Sequence, residues 1–116
     1  CGIDKPSWME GTDYSRIRYD GSPNPDIPDS AYLQSVIPTG HHDSVDQPWR
    51  GIVTVDGWKY VCFEGVPWLM FNVQDDPYEQ VNMVHNSKFS NIRKKLNDRL
   101  ARWINDTEDQ FELPTY

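Results

Sequence analysis

Trp49–Met83, WRGIVTVDGWKYVCFEGVPWLMFNVQDDPYEQVNM, decides the fold of this 116-residue chain. It holds three short apolar runs parted by turn residues. Gly51–Val55 is rich in β-branched side chains and reads as a strand. Asp56-Gly57 follows, a pair suited to a tight hairpin because its backbone needs positive φ. Trp58–Phe63 is then the returning strand. A two-residue loop sets Val55 opposite Trp58, Val53 opposite Tyr60, and Ile52 opposite Val61. Glu64-Gly65-Val66-Pro67 makes the next turn, and Trp68–Val73 the third strand. Both faces of this sheet hold apolar residues, whereas a sheet with one wet face alternates more cleanly. Both faces are therefore expected to be at least partly covered.

Beyond the sheet, Asp75-Asp76-Pro77 closes the last strand. Pro77 suits the first position of a helical turn, with Asp76 as its cap. The sequence thus predicts one helical turn at Tyr78–Gln80, with Val81 and Met83 facing the sheet. Phe89, Ile92, Leu96, Leu100, Trp103 and Ile104 recur at spacings of three and four. That stripe predicts an amphipathic helix from Ser87 to Asn105, capped by Ser87 or Ser90, with Leu96, Leu100 and Trp103 on the sheet. The tail Phe111–Tyr116, with Pro114, reads as an extended strap.

Upstream, residues 1–49 hold six of the nine prolines and eight acids against three bases. Pro-Asn-Pro at 23–25 marks a turn, since proline removes backbone donors. Asp29–Gln34 is expected to start a short helix, and Ser35–Ile37 a short strand ended by Pro38. The fold class is α+β: a small antiparallel sheet of three to four strands, one long C-terminal helix on a face, and an irregular Pro/Asp-rich segment in front. Residues 1–48 read as linker and loop, and 49–116 as the compact subdomain.

Composition excludes several classes. Net charge is −7, which disfavours nonspecific binding to phosphate backbones, so no nucleic-acid partner is expected. No apolar run approaches the roughly 20 residues of a membrane span. Cys1 and Cys62 are the only cysteines, and their spacing neither requires nor rules out a disulfide. Without C-x-x-C there is no zinc or redox motif. A start at Cys rather than Met, with no leader pattern, reads as a piece of a longer chain, and leaves the compartment unread.

Two runs carry a family resemblance. W-R-G-I-V-T-V-D-G-W-K-Y-V resembles a strand pair of the sulfatases. M-F-N-V-Q-D-D-P-Y-E-Q-V-N-M is similar to a later segment of that family, with Asp76, Pro77, Glu79 and Asn82 in matching places. R-K-K-L-N-D-R-L-A-R-W resembles the helix that follows, and the opening C-G-I-D-K-P-S-W-M-E-G-T-D-Y-S the family's link out of its catalytic domain. The resemblance implies the C-terminal subdomain of a type I sulfatase, a sulfuric ester hydrolase of alkaline phosphatase-like fold. It implies a formylglycine nucleophile and a calcium ion in the catalytic domain, and a sulfated carbohydrate or aryl substrate. Neither cofactor belongs to this chain: Cys1 is followed by Gly-Ile-Asp-Lys, not by the x-P-x-R that marks a modified cysteine. Thr54-Val55 also departs from the Arg-Thr pair the pattern more often shows.

No catalytic or metal-binding residue is therefore expected here. His41, His42 and Arg50 are the candidates for substrate contact. His41-His42-Asp43 could reach a pocket from a loop, with Asp43 orienting one ring. Arg50 could hold a sulfate with its planar fork, or else pair with Asp46 or Glu64. Trp49, Trp58, Trp68 and Trp103 could stack on a sugar, but large aromatics mostly pack cores. The chain is expected to complete the substrate pocket and stabilise the catalytic domain, inactive alone. The alternative is a stand-alone binding or dimerisation module that uses the apolar sheet face.

Overall fold

A computed structural model of the chain describes residues 4–14, 21, 26–37 and 40–116. Cys1, the Pro-Asn-Pro turn and the stop at Pro38 lie outside them. Four antiparallel strands form one sheet in chain order: β1 (Ser30–Ser35), β2 (Trp49–Thr54), β3 (Trp58–Phe63) and β4 (Val66–Asn72). A 3-10 turn at Ser87–Phe89 leads into helix α1, Ser90–Asp106. The α+β architecture, the meander and the long helix are as the sequence predicts.

The predicted helix at Asp29–Gln34 is instead β1. Its six residues each find a partner on β2, from Ser30 opposite Thr54 to Ser35 opposite Trp49. Tertiary contacts override the local capping signal. Tyr32 stacks on Trp103 with ring centroids 6.0 Å apart, and Trp103 Nε1 donates to Ser30 Oγ at 2.9 Å. A helix would take Ser30 and Tyr32 off the one face that α1 covers. The strand ends at Ser35, so Val36 and Ile37 are exposed loop. The sheet accordingly begins ahead of residue 49.

The β2–β3 register differs by one residue from the predicted pairing. Ile52 lies opposite Tyr60, and Val53 opposite Lys59. Three residues, Val55, Asp56 and Gly57, make the loop. The Gly57 N–H closes a turn on the Thr54 carbonyl at 3.0 Å, and Gly57 then takes φ 84°. Thr54 Oγ1 accepts from the Trp58 N–H at 3.0 Å and donates to the Trp58 carbonyl at 3.1 Å. That hydroxyl is what a two-residue loop leaves out. A slip of one residue exchanges faces. Ile52 therefore joins the helix side, while Val53 turns away from it.

The core lies between the sheet and α1. Ile52, Tyr60, Cys62, Met70, Val84, Leu96, Leu100 and Ile104 form one buried cluster, against which Phe89, Ile92, Trp103, Phe111 and Leu113 pack. The predicted helical stripe is thus the core stripe. Burial of each large apolar side chain here contributes about 1.5–3 kcal/mol. Neither Ser87 nor Ser90 caps the helix. Asn86 instead caps the 3-10 turn ahead of it, its side chain accepting from the Lys88 N–H at 3.0 Å, and α1 itself starts from Phe89 with no side-chain cap.

Two other local features depart from expectation. Asp76–Glu79 is a turn rather than a helical turn, because Glu79 adopts φ 54° and stops propagation. Asp76 Oδ2 accepts from the Val81 N–H at 2.8 Å, and Val81 is exposed while Met83 packs on the core. In β4, Pro67 pairs with Cys62 and Leu69 with Val61, leaving Trp68 as the bulged residue. A proline is tolerated there because β4 is an edge strand. The strap is present as predicted: Pro114 is buried, its carbonyl accepts from Asn97 Nδ2 at 3.0 Å, and Glu112 accepts from the Gly65 N–H at 2.9 Å.

Strand alternation puts Leu33, Gly51, Val61 and Leu69 in one cross-strand row on the far face, with Ala31, Val53, Lys59 and Phe71 in the next. Only Lys59 in these rows is charged. Val61 and Phe71 are buried, but Leu33, Val53 and Leu69 are only half-buried. None of them belongs to the core cluster under α1.

Candidate functional site

Arg50 is the best-defined polar centre of the chain. β2 directs it to the helix side, where it is 6% exposed. Its Nε donates to Asp109 Oδ2 at 2.5 Å and Nη2 donates to Asp109 Oδ1 at 3.2 Å, the fork-on-fork geometry that guanidinium and carboxylate favour. Nη1 donates to the carbonyls of Ser35 at 3.0 Å and Trp49 at 3.1 Å. The guanidinium lies over the Phe111 ring, 4.8 Å from its centroid. Tyr32 Oη donates to Asp109 Oδ2 at 2.7 Å. The partner of Arg50 is therefore Asp109, neither Asp46 nor Glu64. Asp109 stands in the tail, with no spacing that ties it to β2.

The electrostatics follow from these contacts. The Arg50 hydrogen bonds hold the Asp109 carboxyl below the usual carboxylate range, aided by Tyr32, against an opposing effect of burial. The same pairing raises Arg50. Burial and the Asp109 bond push the Tyr32 phenol up. Burial pushes the Cys62 thiol up to about 12. That thiol donates to the Arg50 carbonyl at 3.7 Å and is neither poised nor accessible as a nucleophile.

His41 and His42 lie elsewhere, on the exposed loop between β1 and β2. The His41 carbonyl accepts from the Ser44 N–H at 2.9 Å and the Ser44 hydroxyl at 2.7 Å, which makes a tight turn. His42 Nε2 sits 3.2 Å from Asp43 Oδ1, and both side chains are almost fully exposed. None of the Arg50 hydrogen bonds involves either histidine. The structure thus leaves the histidine loop exposed and commits Arg50 to the fold. Among the described residues, no three His, Cys, Asp or Glu side chains come together as a metal site. No helix of the described residues is long and apolar enough to cross a membrane.

Three of the tryptophans serve packing. Trp58 and Trp103 pack against the core, and Trp68 stacks on Phe63 with centroids 4.4 Å apart. The motif residues have structural roles too. Lys59 Nζ reaches both carboxylate oxygens of Glu79 at 2.8 Å, which joins W-K-Y to D-D-P-Y-E. Asn82 Oδ1 accepts from the N–H groups of Met70 at 3.0 Å and Val84 at 3.1 Å, and its Nδ2 donates to the Trp68 carbonyl at 2.9 Å. That side chain staples the outer edge of β4. Tyr60 Oη bonds to Asn97 Oδ1 at 3.1 Å and to Tyr116 Oη at 2.9 Å, tying β3, α1 and the strap together.

No protein-family model matches the chain. The chain is 26% identical over 112 residues to an ulvan-active sulfatase from Formosa agariphila, covering 96% of this chain and 21% of the relative. A solved protein in complex with its substrate, D-glucosamine-2-N,6-O-disulfate, shares the fold with a TM-score of 0.71 at 21% identity, over 94% of this chain and 22% of that one. The chain spans about a fifth of the length of each. The sulfatase resemblance of its motifs is thus met by a sulfatase relative aligned along nearly the whole of this α+β unit.

Proposed function

We propose that this chain is the C-terminal subdomain of a sulfatase, which stabilises the catalytic portion and helps complete its substrate pocket. The alignment with a sulfatase over 96% of the chain, but only 21% of the relative, carries this reading. The far sheet face supports it. Leu33, Val53 and Leu69, half-buried there, form an apolar surface that α1 does not cover. The missing four-fifths of such a relative is its natural cover. On this reading the calcium ion and the formylglycine sit in the catalytic portion, and the ester bond is broken there. The substrate is a sulfated carbohydrate or aryl sulfate. The His41–His42 loop is the part of this chain that approaches it, while Arg50 supports the loop's exit into β2 through Ser35 and Trp49.

The isolated chain is expected to leave an aryl sulfate intact in the presence of calcium. Turnover by the isolated chain would overturn the accessory role. The same open face supports a second reading, in which two copies pair through it. Light scattering separates the two: a dimer that Leu69→Lys breaks favours self-association, and a monomer favours the catalytic portion as partner.

A further inference from the structure

Trp58 and Asn72 face each other across β3 and β4 at the hairpin end of the sheet. A cavity of about 190 Å³ opens beside them. At about 30 Å³ per water, it has room for a side-chain head group. Its walls are Trp58, Val81, Met83 and Phe89, with the Trp58 and Phe89 rings 5.9 Å apart and tilted by 54°. Its remaining lining is Asn72 with two acids, Asp75 and Asp76, and it contains no base. Asp76 spends one oxygen on the Val81 N–H. Among the described residues, no hydrogen bond or ion pair engages the Asp75 carboxylate.

The aromatic walls favour a flat body, and the carboxylates favour a cation. An uncharged apolar guest would desolvate Asp75 and Asp76 with no compensating bond. A sulfated sugar would be repelled by both. A guanidinium satisfies every wall at once, because it stacks on aromatic faces and presents a fork to a carboxylate. We propose that this cavity binds the side chain of an arginine presented by another protein segment. It lies on the helix side of the sheet, distinct from the apolar face assigned to the catalytic portion. In the adjoining turn Glu79 takes φ 54° and its carboxylate pairs with Lys59, while Tyr78 is exposed. The bound segment would pack on Val81.

The test is a titration of the 116-residue chain with N-acetyl-arginine-methylamide, followed through the Trp58 indole N–H by NMR. A saturable shift is expected. Asp75→Asn should weaken it by about tenfold, the scale of one lost charge-assisted bond. Asp56→Asn removes the same charge from outside this cavity and should leave binding unchanged. Asp75 makes no side-chain bond, so its variant should fold. The proposal is overturned by an absent or non-saturable shift, by equal binding of the neutral citrulline analogue, or by equal loss in Asp56→Asn. Equal binding of N-acetyl-lysine-methylamide would overturn the guanidinium assignment. None of these outcomes bears on the sulfatase reading.

Discussion

Arg50 and Asp109, separated by 59 positions, form a two-pronged ion pair that fastens the tail to the second strand. Side-chain exposure is 7% for Arg50 and 17% for Asp109, so solvent screens the pair little. Loss of either partner strands a charge. Arg50→Ala or Asp109→Ala is expected to destabilise the chain by about 3–5 kcal/mol in urea unfolding. The double variant should cost less than the sum of the two, because each single loss already breaks the pair. Additive effects would show that the pair is not a coupled unit.

The same pair sets an acid limit. Asp109 has a folded-state pKa below its unfolded value. Its stabilisation is therefore complete above the unfolded carboxylate range, near about pH 4, and is lost as pH falls through the folded pKa. Wild type should lose stability more steeply below that range than Asp109→Asn, measured by urea midpoints at successive pH values. Parallel curves would rule out Asp109 as a source of the acid sensitivity.

Gly51 is a packing constraint rather than a turn. A Cβ there would lie 2.7 Å from the Tyr60 carbonyl oxygen and 3.0 Å from Val61 Cγ2. The first contact is with backbone, which cannot swing aside. Gly51→Ala should cost about 1–3 kcal/mol by overpacking. Thermal unfolding at or above the wild-type midpoint would contradict this close approach of β2 and β3.

Cys62 reports on the integrity of the core. Its thiol is buried and held in the protonated form. In a Cys1→Ser background, iodoacetamide at pH 8 should label Cys62 only in step with unfolding. Rapid labelling of the folded chain would place Cys62 outside the core.

Much of this fold was legible before any coordinate. The stripe Phe89–Ile104 has one geometric solution, so the helix and its buried face followed from spacing. The three runs of Trp49–Met83 gave three of four strands. β1 was not legible, because Ser30-Ala31-Tyr32-Leu33 is a strand only when Trp103 receives Ser30 and Tyr32. The hairpin register turned on one hydroxyl, that of Thr54, for which Asp56-Gly57 gives no signal. At the site, the sequence placed His41 and His42 on a loop, and they lie on the exposed loop between β1 and β2. The burial of Arg50 did not emerge from sequence, since Asp109 lies in a tail whose position depends on the folded helix. The resemblance motifs were legible as a pattern, but not as the Lys59–Glu79 and Asn82 contacts that explain their spacing.

The central claim is that this unit serves a sulfatase, and the coding sequence in phase ahead of Cys1 tests it most directly. Sequencing of the transcript should find an upstream catalytic region carrying a C/S-x-P-x-R motif. An in-phase upstream region without that motif, or encoding an unrelated domain, would contradict the account.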